Sequence, residues 1–304
     1  MRTASRTALL VAFSASAAAY VHGPLAAPIC RRRATEPQCK AAELLRVAHS
    51  VGDIDATAAF YKACLGLEVC EEMAGDAGVV LANPSAGADE LRLELRKVDG
   101  AKFVEAAGYQ HREGAAYQGL MARVPSVAEA VAAATASGGS VLREVQTINH
   151  GPALAPVEEA DEVENPVVEA LVADPSGYPL LLHECEGAPA GLNGCRMAVH
   201  EWKASQEWYE QTLGWQTVRW NSNVHREASL TVTLGPKPAD PPASPRGYLP
   251  EQCSHAVVQL MYIYGGPTVK HPEAGGLDEL VLAKADGADA ETLSDPDAYK
   301  LTIV

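Results

Sequence analysis

The chain has 304 residues and a mass of 32.0 kDa, room for two ordinary domains. Apolar residues make up 47% and charged residues 21%, which excludes a disordered chain and permits a sizeable core. Against 24 Lys and Arg stand 39 Asp and Glu, a net charge of −15, and this argues against duplex nucleic-acid binding, which normally uses a basic face.

The charge is uneven along the chain. Residues 1–40 hold six basic residues and one acid, which by subtraction leaves residues 41–304 with 18 basic and 38 acidic groups, a net of −20. A body that acidic repels anionic membrane surfaces. Arg2 and Arg6 precede an uncharged apolar run, Ala8 to Tyr20, closed by the small residues Ala17, Ala18 and Ala19. This is a signal-peptide pattern, too short for the roughly 20 residues that span a bilayer. Arg31, Arg32 and Arg33 follow in an acid-poor stretch. A signal followed by an Arg-rich segment resembles the two-part plastid address of algae with complex plastids; secretion and a mitochondrial presequence are the alternatives. Residues 1–40 are therefore expected to be a targeting peptide and lie outside the fold.

The body is organised by an internal repeat. Val51-Gly52-Asp53-Ile54 followed by Phe60-Tyr61 and Leu65-Gly66 returns 148 residues later. There it reads Val199-His200-Glu201-Trp202 followed by Trp208-Tyr209 and Leu213-Gly214. Each copy reads as an apolar strand, a polar turn, an amphipathic helix and a glycine stop. Asp53 or Asp55 is placed to cap the first helix. Gly66 and Gly214 fit the left-handed position past a helix end. Cys64 is expected to be a small core residue. The seven cysteines form no C-x-x-C, so neither a zinc ribbon nor a disulfide framework is indicated.

In copy one, Ser126 and Glu129 have capping-box spacing and open an alanine-rich helix ending at Gly138-Gly139, with a strand from Ser140 to Val145 beyond. Residues 146–166 read as a solvated acidic loop. Asp174-Pro175-Ser176-Gly177-Tyr178 is a turn leading into a strand at Pro179–His183, and its counterpart is Asp295-Pro296-Asp297-Ala298-Tyr299 before Lys300–Val304. That offset is 121, so copy two is 27 residues shorter. Residues 285–294 are too few for a helix plus a strand. The prolines between Pro236 and Pro250 mark an extended surface loop. The boundary is placed in the Gly- and Ala-rich stretch 187–194. The expected organisation is thus 1–40 targeting peptide, 41–186 first domain, 187–194 linker and 195–304 second, shortened domain. A missing helix is expected to leave apolar sheet exposed, so that either the chain forms a homodimer through that face or the sequence is part of a longer one.

Leu44-Leu45-Arg46-Val47-Ala48-His49-Ser50-Val51-Gly52-Asp53-Ile54, the following Phe60-Tyr61 and Leu65-Gly66, the Asp174 turn, and Gln259-Leu260-Met261-Tyr262-Ile263-Tyr264-Gly265 resemble glyoxalase I of the vicinal-oxygen-chelate superfamily, in the fused two-domain form of plants. The resemblance covers roughly residues 42–304. It implies an α+β fold of tandem glyoxalase/bleomycin-resistance/dioxygenase domains built of βαβββ modules. It implies a carbon–sulfur lyase, lactoylglutathione lyase, that isomerises the glutathione–methylglyoxal hemithioacetal. A divalent metal, zinc or nickel, held by His and Glu polarises the substrate oxygens, and a glutamate moves the proton.

The resemblance also implies eight ligand positions, shared crosswise between the copies. One set is Arg46, Glu94, Glu279 and Thr302; the other is Gly194, Gln259, Gly119 and Leu181. Glu94 and Glu279 are the metal-ligand candidates, and Arg46 and Gln259 are candidates for contacting a bound small molecule, a glutathione adduct by resemblance. A guanidinium has no lone pair to offer a metal, and zinc or nickel needs about four N, O or S donors. Arg46 is expected either to form a buried ion pair with Glu94 or to bind a carboxylate. The positions expected to hold Arg and Asn for glutathione are Ser50 and Val98. His49 points away from Arg46 by strand alternation. It, His183, His200, His111 and His150 read as surface or turn histidines. Two functional readings follow: a lactoylglutathione lyase, and a non-catalytic module that binds a small molecule or a protein partner. A ring-cleaving dioxygenase ranks last, because the strand positions lack its two histidines.

Overall fold

The computed structural model describes residues 41–74, 77–84, 90–101, 103, 117–149, 166–223, 229–236, 255–264, 277–285 and 289–304. The expected targeting peptide, most of the proline-rich loop, His111 and His150 lie outside these residues.

Four modules follow one another. The first comprises β1 (Ala41–Val51), α1 (Ile54–Leu65), β2 (Glu68–Glu72), β3 (Gly78–Ala82) and β4 (Arg92–Lys97). The second comprises β5 (Tyr117–Val124), α2 (Val127–Ala136), β6 (Ser140–Asn149), β7 (Pro166–Ala173) and β8 (Pro179–Glu184). The third has β9 (Gly191–Ala198), α3 (Trp202–Trp208, continued by a π-helical turn over Tyr209–Leu213), β10 (Gln216–Asn223), β11 (Ser229–Gly235) and β12 (Val257–Ile263). The fourth is β13 (Leu277–Lys284), β14 (Glu291–Ser294) and β15 (Lys300–Ile303). No fourth long helix occurs among the described residues, and β14 alone stands where copy one has α2, β6 and β7. The shortening of copy two is therefore the loss of one helix and one strand.

The caps follow the residues. Asp53 accepts from the Ala56 N–H at 2.9 Å, Glu201 from that of Lys203 at 3.4 Å and Ser126 from that of Glu129 at 3.3 Å, each meeting an N–H left over at a helix start. Gly66 and Gly214 sit at φ 70° and 73°, where a side chain would strain the backbone.

The strands form two sheets, and each takes one module from each copy. The order β14-β15-β13-β1-β4-β3-β2 joins the first module to the fourth through antiparallel β13 and β1; the order β10-β11-β12-β9-β5-β8-β7-β6 joins the third to the second through antiparallel β9 and β5. Within each copy a buried carboxylate ties one sheet to the other. Asp174 accepts from the N–H groups of Ser176 and Tyr178 and from the Tyr61 hydroxyl of α1, and Tyr178 donates to the Ser50 carbonyl of β1 at 2.7 Å. Asp295 repeats the device with Asp297, Tyr299 and Tyr209, and Tyr299 donates to the Ala198 carbonyl of β9 at 2.9 Å. The repeated Tyr and Asp-Pro positions in the sequence are these two devices.

Four expectations change. Strand β9 begins at Gly191, within the stretch read as a linker, and its eight residues are all buried. Residues 146–149 extend β6 and Pro166 opens β7, because their backbones continue the antiparallel ladder, Gln146 opposite Glu169 and Asn149 opposite Pro166. The apolar face of the shortened copy is not exposed: Leu280, Leu282, Leu301 and Ile303 are buried in the single chain. His49 and His183 are core residues, not surface or turn ones. His49 stacks on Tyr178 at 4.1 Å between ring centroids and bonds the Tyr117 hydroxyl at 2.9 Å; burial lowers its pKa to about 3, so the ring stays neutral. Cys64 is buried as expected, its thiol pushed up to about 12 by burial and directed at the Ala130 carbonyl of α2.

Candidate functional site

Side chains two apart on a strand share a face, and aligned residues of neighbouring strands share it too. In the first sheet Ala48 aligns with Glu94 of β4 and with Glu279 of β13, while Arg46 aligns with Val281, which aligns with Thr302 of β15. The four positions of the first crosswise set thus fall on one face, in adjacent rows. The structure brings them together.

What they form is an ion-pair cluster. Arg46 Nη1 lies 3.0 Å from Glu94 Oε2. Arg96, two residues beyond Glu94 on β4, donates from Nε to Glu94 Oε1 at 2.5 Å and from Nη2 to Glu279 Oε2 at 2.8 Å. Lys300 Nζ stands 3.3 Å from Glu279 Oε1, and Thr302 also bonds Glu279. Thr302 Oγ1 lies 3.3 Å from Thr292 Oγ1. Burial works against the Glu279 charge, but Thr302, Arg96 and Lys300 outweigh it and hold the carboxyl below its usual range. Burial likewise opposes the Arg96 charge and lowers its pKa, but its bonds to Glu279 and Glu94 outweigh that and raise it. Beside the cluster Ser50 donates to Asp278 at 2.7 Å, and burial raises the Asp278 carboxyl against that bond.

The donor chemistry does not fit a zinc or nickel ion. The set holds two carboxylates, one hydroxyl and one guanidinium, and the Arg96 guanidinium bridges the two carboxylates where a cation would have to sit. Among the described residues no group of three or more His, Cys, Asp and Glu is arranged to hold a metal.

The second set also falls on one face, on the other sheet. Gly119 and Gln259 both align with Arg196, and Met121 aligns with both Gly194 and Leu181. Here the positions carry packing. Leu181, Met121, Leu171, Val218 and Val257 form a small buried apolar cluster. Gln259 accepts from Arg196 Nε at 2.9 Å and reaches Thr233 at 3.5 Å. His183 lies 3.7 Å from Glu169, which pairs with Arg143 at 2.7 Å. Gly119 has φ 105°, and a Cβ there would meet the Pro179 carbonyl oxygen at 2.2 Å. Gly119→Ala is accordingly expected to lower the unfolding free energy by about 2 kcal/mol or more, read from urea denaturation. An unchanged midpoint would show that the β5–β8 contact yields freely.

Residues 43–181 match the family model described as the Glyoxalase/Bleomycin resistance protein/Dioxygenase superfamily. The chain is similar to this superfamily over that segment, 139 of its 304 residues. Its two sheets, each shared by βαβββ modules of different copies, are the vicinal-oxygen-chelate arrangement with a shortened last module. A relative from Arabidopsis thaliana, named probable lactoylglutathione lyase, chloroplastic, is 26% identical over 226 residues. The alignment covers 73% of this chain and 54% of that protein, so the chain spans about half the relative's length. The crystal structure of glyoxalase I from Zea mays superposes with a TM-score of 0.62 at 19% identity, over 86% of this chain and 92% of the maize chain; a mutant form of the maize enzyme gives the same figures. At that identity the likeness is one of fold.

Arg96 and Lys300 went unread in the sequence. The signal was present: each lies two residues from a position already singled out, Glu94 and Thr302, and therefore on the same face.

Proposed function

We infer that this chain is a plastid glyoxalase I-like protein whose first cleft serves as a small-molecule-binding module without the divalent metal of lactoylglutathione lyase. The observation that carries this reading is the Arg96 bridge between Glu94 and Glu279. A cation site needs free carboxylate lone pairs, and here guanidinium, ammonium and hydroxyl groups take them up. Support for the plastid is the chloroplastic name of the Arabidopsis relative together with the Arg-rich composition of residues 1–40.

The test is thioester formation at 240 nm from glutathione and methylglyoxal with added zinc or nickel. No rate above buffer is expected. A metal-dependent rate would restore the second reading, lactoylglutathione lyase, which the name of the Arabidopsis relative favours.

A further inference from the structure

The ion-pair cluster is layered. Its anions form the deep layer, with the Glu94 and Glu279 side chains 3% and 9% exposed. Its cations form the outer layer, with Arg46, Arg96 and Lys300 at 29%, 30% and 50%. With Asp278 beside them, three cations meet three carboxylates, and within the ion-pair cluster itself the more exposed groups are the cations.

The outer layer also keeps donors in reserve. A guanidinium has five N–H donors and an ammonium three. Among the described residues Arg46 has one ion-pair contact, to Glu94; Arg96 has two, to Glu94 and Glu279; Lys300 has one, to Glu279. The buried carboxylates fix the direction of these side chains, so little rotamer freedom is left to lose when a ligand arrives. Two guanidiniums and an ammonium held rigidly side by side suit a small oxyanion, which takes paired N–H donors in a fork.

We propose that Arg46, Arg96 and Lys300 form a binding site for the oxyanion group, carboxylate or phosphate, of a small molecule, at the place where metal-holding relatives of this superfamily would bind their ion. The proposal rests on the metal-free reading above and names the ligand class for that cleft.

The test is calorimetric titration of the full chain at low ionic strength, in buffer freed of metal by chelating resin, with inorganic phosphate and with succinate as probes. Low salt matters because exposed cations are screened over about 10 Å at 0.1 M. Saturable binding of at least one probe is expected, weakening as salt is added, and the two probes separate a phosphate ligand from a carboxylate one. Arg46→Gln and Lys300→Met are the informative variants, because Glu94 keeps Arg96 and Glu279 keeps Arg96 and Thr302. Loss of one charge-assisted contact should weaken binding about tenfold or more in at least one of them. A thermal melt of each variant confirms the fold before titration. No saturable binding of either probe, or equal binding in wild type and both variants, overturns the proposal. A lyase rate on adding metal would overturn the metal-free reading instead, and this titration, made without metal, is blind to that outcome.

Discussion

Arg96→Met is expected to lower the free energy of unfolding by about 3 kcal/mol, measured by urea denaturation near neutral pH. Methionine keeps much of the stem volume but removes the bridge between Glu94 and Glu279. The two carboxylates then face each other deep in the cleft, with Arg46 left on one and Lys300 on the other. Each buried carboxylate then loses one of its cations, and the repulsion between the two is no longer bridged. Lys300 is half exposed and lies at the edge of the cluster, so Lys300→Met should cost under about 1 kcal/mol. The double variant Arg96→Met, Glu94→Gln should recover part of the loss, since it removes one of the two carboxylate charges left facing each other. If Arg96→Met and Lys300→Met cost the same, Arg96 is not the centre of the cluster.

The second large effect depends on pH. Asp174 is buried, and that burial raises its carboxyl from 3.8 to about 7 despite the bonds from Tyr178, Ser176, Tyr61 and Gly177. Asp295 is raised to about 7 in the same way. The folded chain therefore holds these protons up to about pH 7, whereas the unfolded chain releases them near 3.8. Between those values the folded state binds more protons, so the contribution of this pair is fully present below 3.8 and is lost as pH rises through about 7. Asparagine at 174 is neutral throughout and can still accept from the Ser176 and Tyr178 N–H groups. The stability of wild type relative to Asp174→Asn should therefore drop by a few kcal/mol between about pH 4 and about pH 8, read from urea midpoints at both. A difference that does not move with pH would mean that the donors around Asp174 keep it ionised throughout.

Much of the fold was legible because the sequence states it twice. The Tyr61 and Tyr209 pair, the two glycine stops and the two Asp-Pro turns are spaced by the duplication, and each turned out to be a cap or a buried tether. The alternation argument put His49 on the face opposite Arg46 correctly, yet missed its burial. A neutral imidazole is accepted in a core when an aromatic ring and a hydroxyl partner flank it, and neither Tyr117 nor Tyr178 is near it in sequence. The linker was misplaced because Gly191 and Gly194 look like breakers. Gly194 instead allows close packing, since a Cβ there would strike the Val257 carbonyl and the Met121 side chain.

The cleft was half legible. Crosswise sharing placed Arg46, Glu94, Glu279 and Thr302 on one surface, and the Arg46–Glu94 pair was among the expected outcomes. Arg96 stands outside the expected ligand positions, and only its period-2 spacing from Glu94 marks it as sharing their face. A substitution at one ligand position is best read together with the residues that share its face, since those decide whether a carboxylate is free or spoken for.

Guanidinium and ammonium groups, and not a metal ion, are the partners of Glu94 and Glu279. Equilibrium dialysis of the full chain against micromolar zinc or nickel, followed by elemental analysis, tests it most directly. The expected result is no stoichiometric retained metal, in wild type and Glu94→Gln alike. About one tightly held ion per chain in wild type, lost in Glu94→Gln, would contradict it.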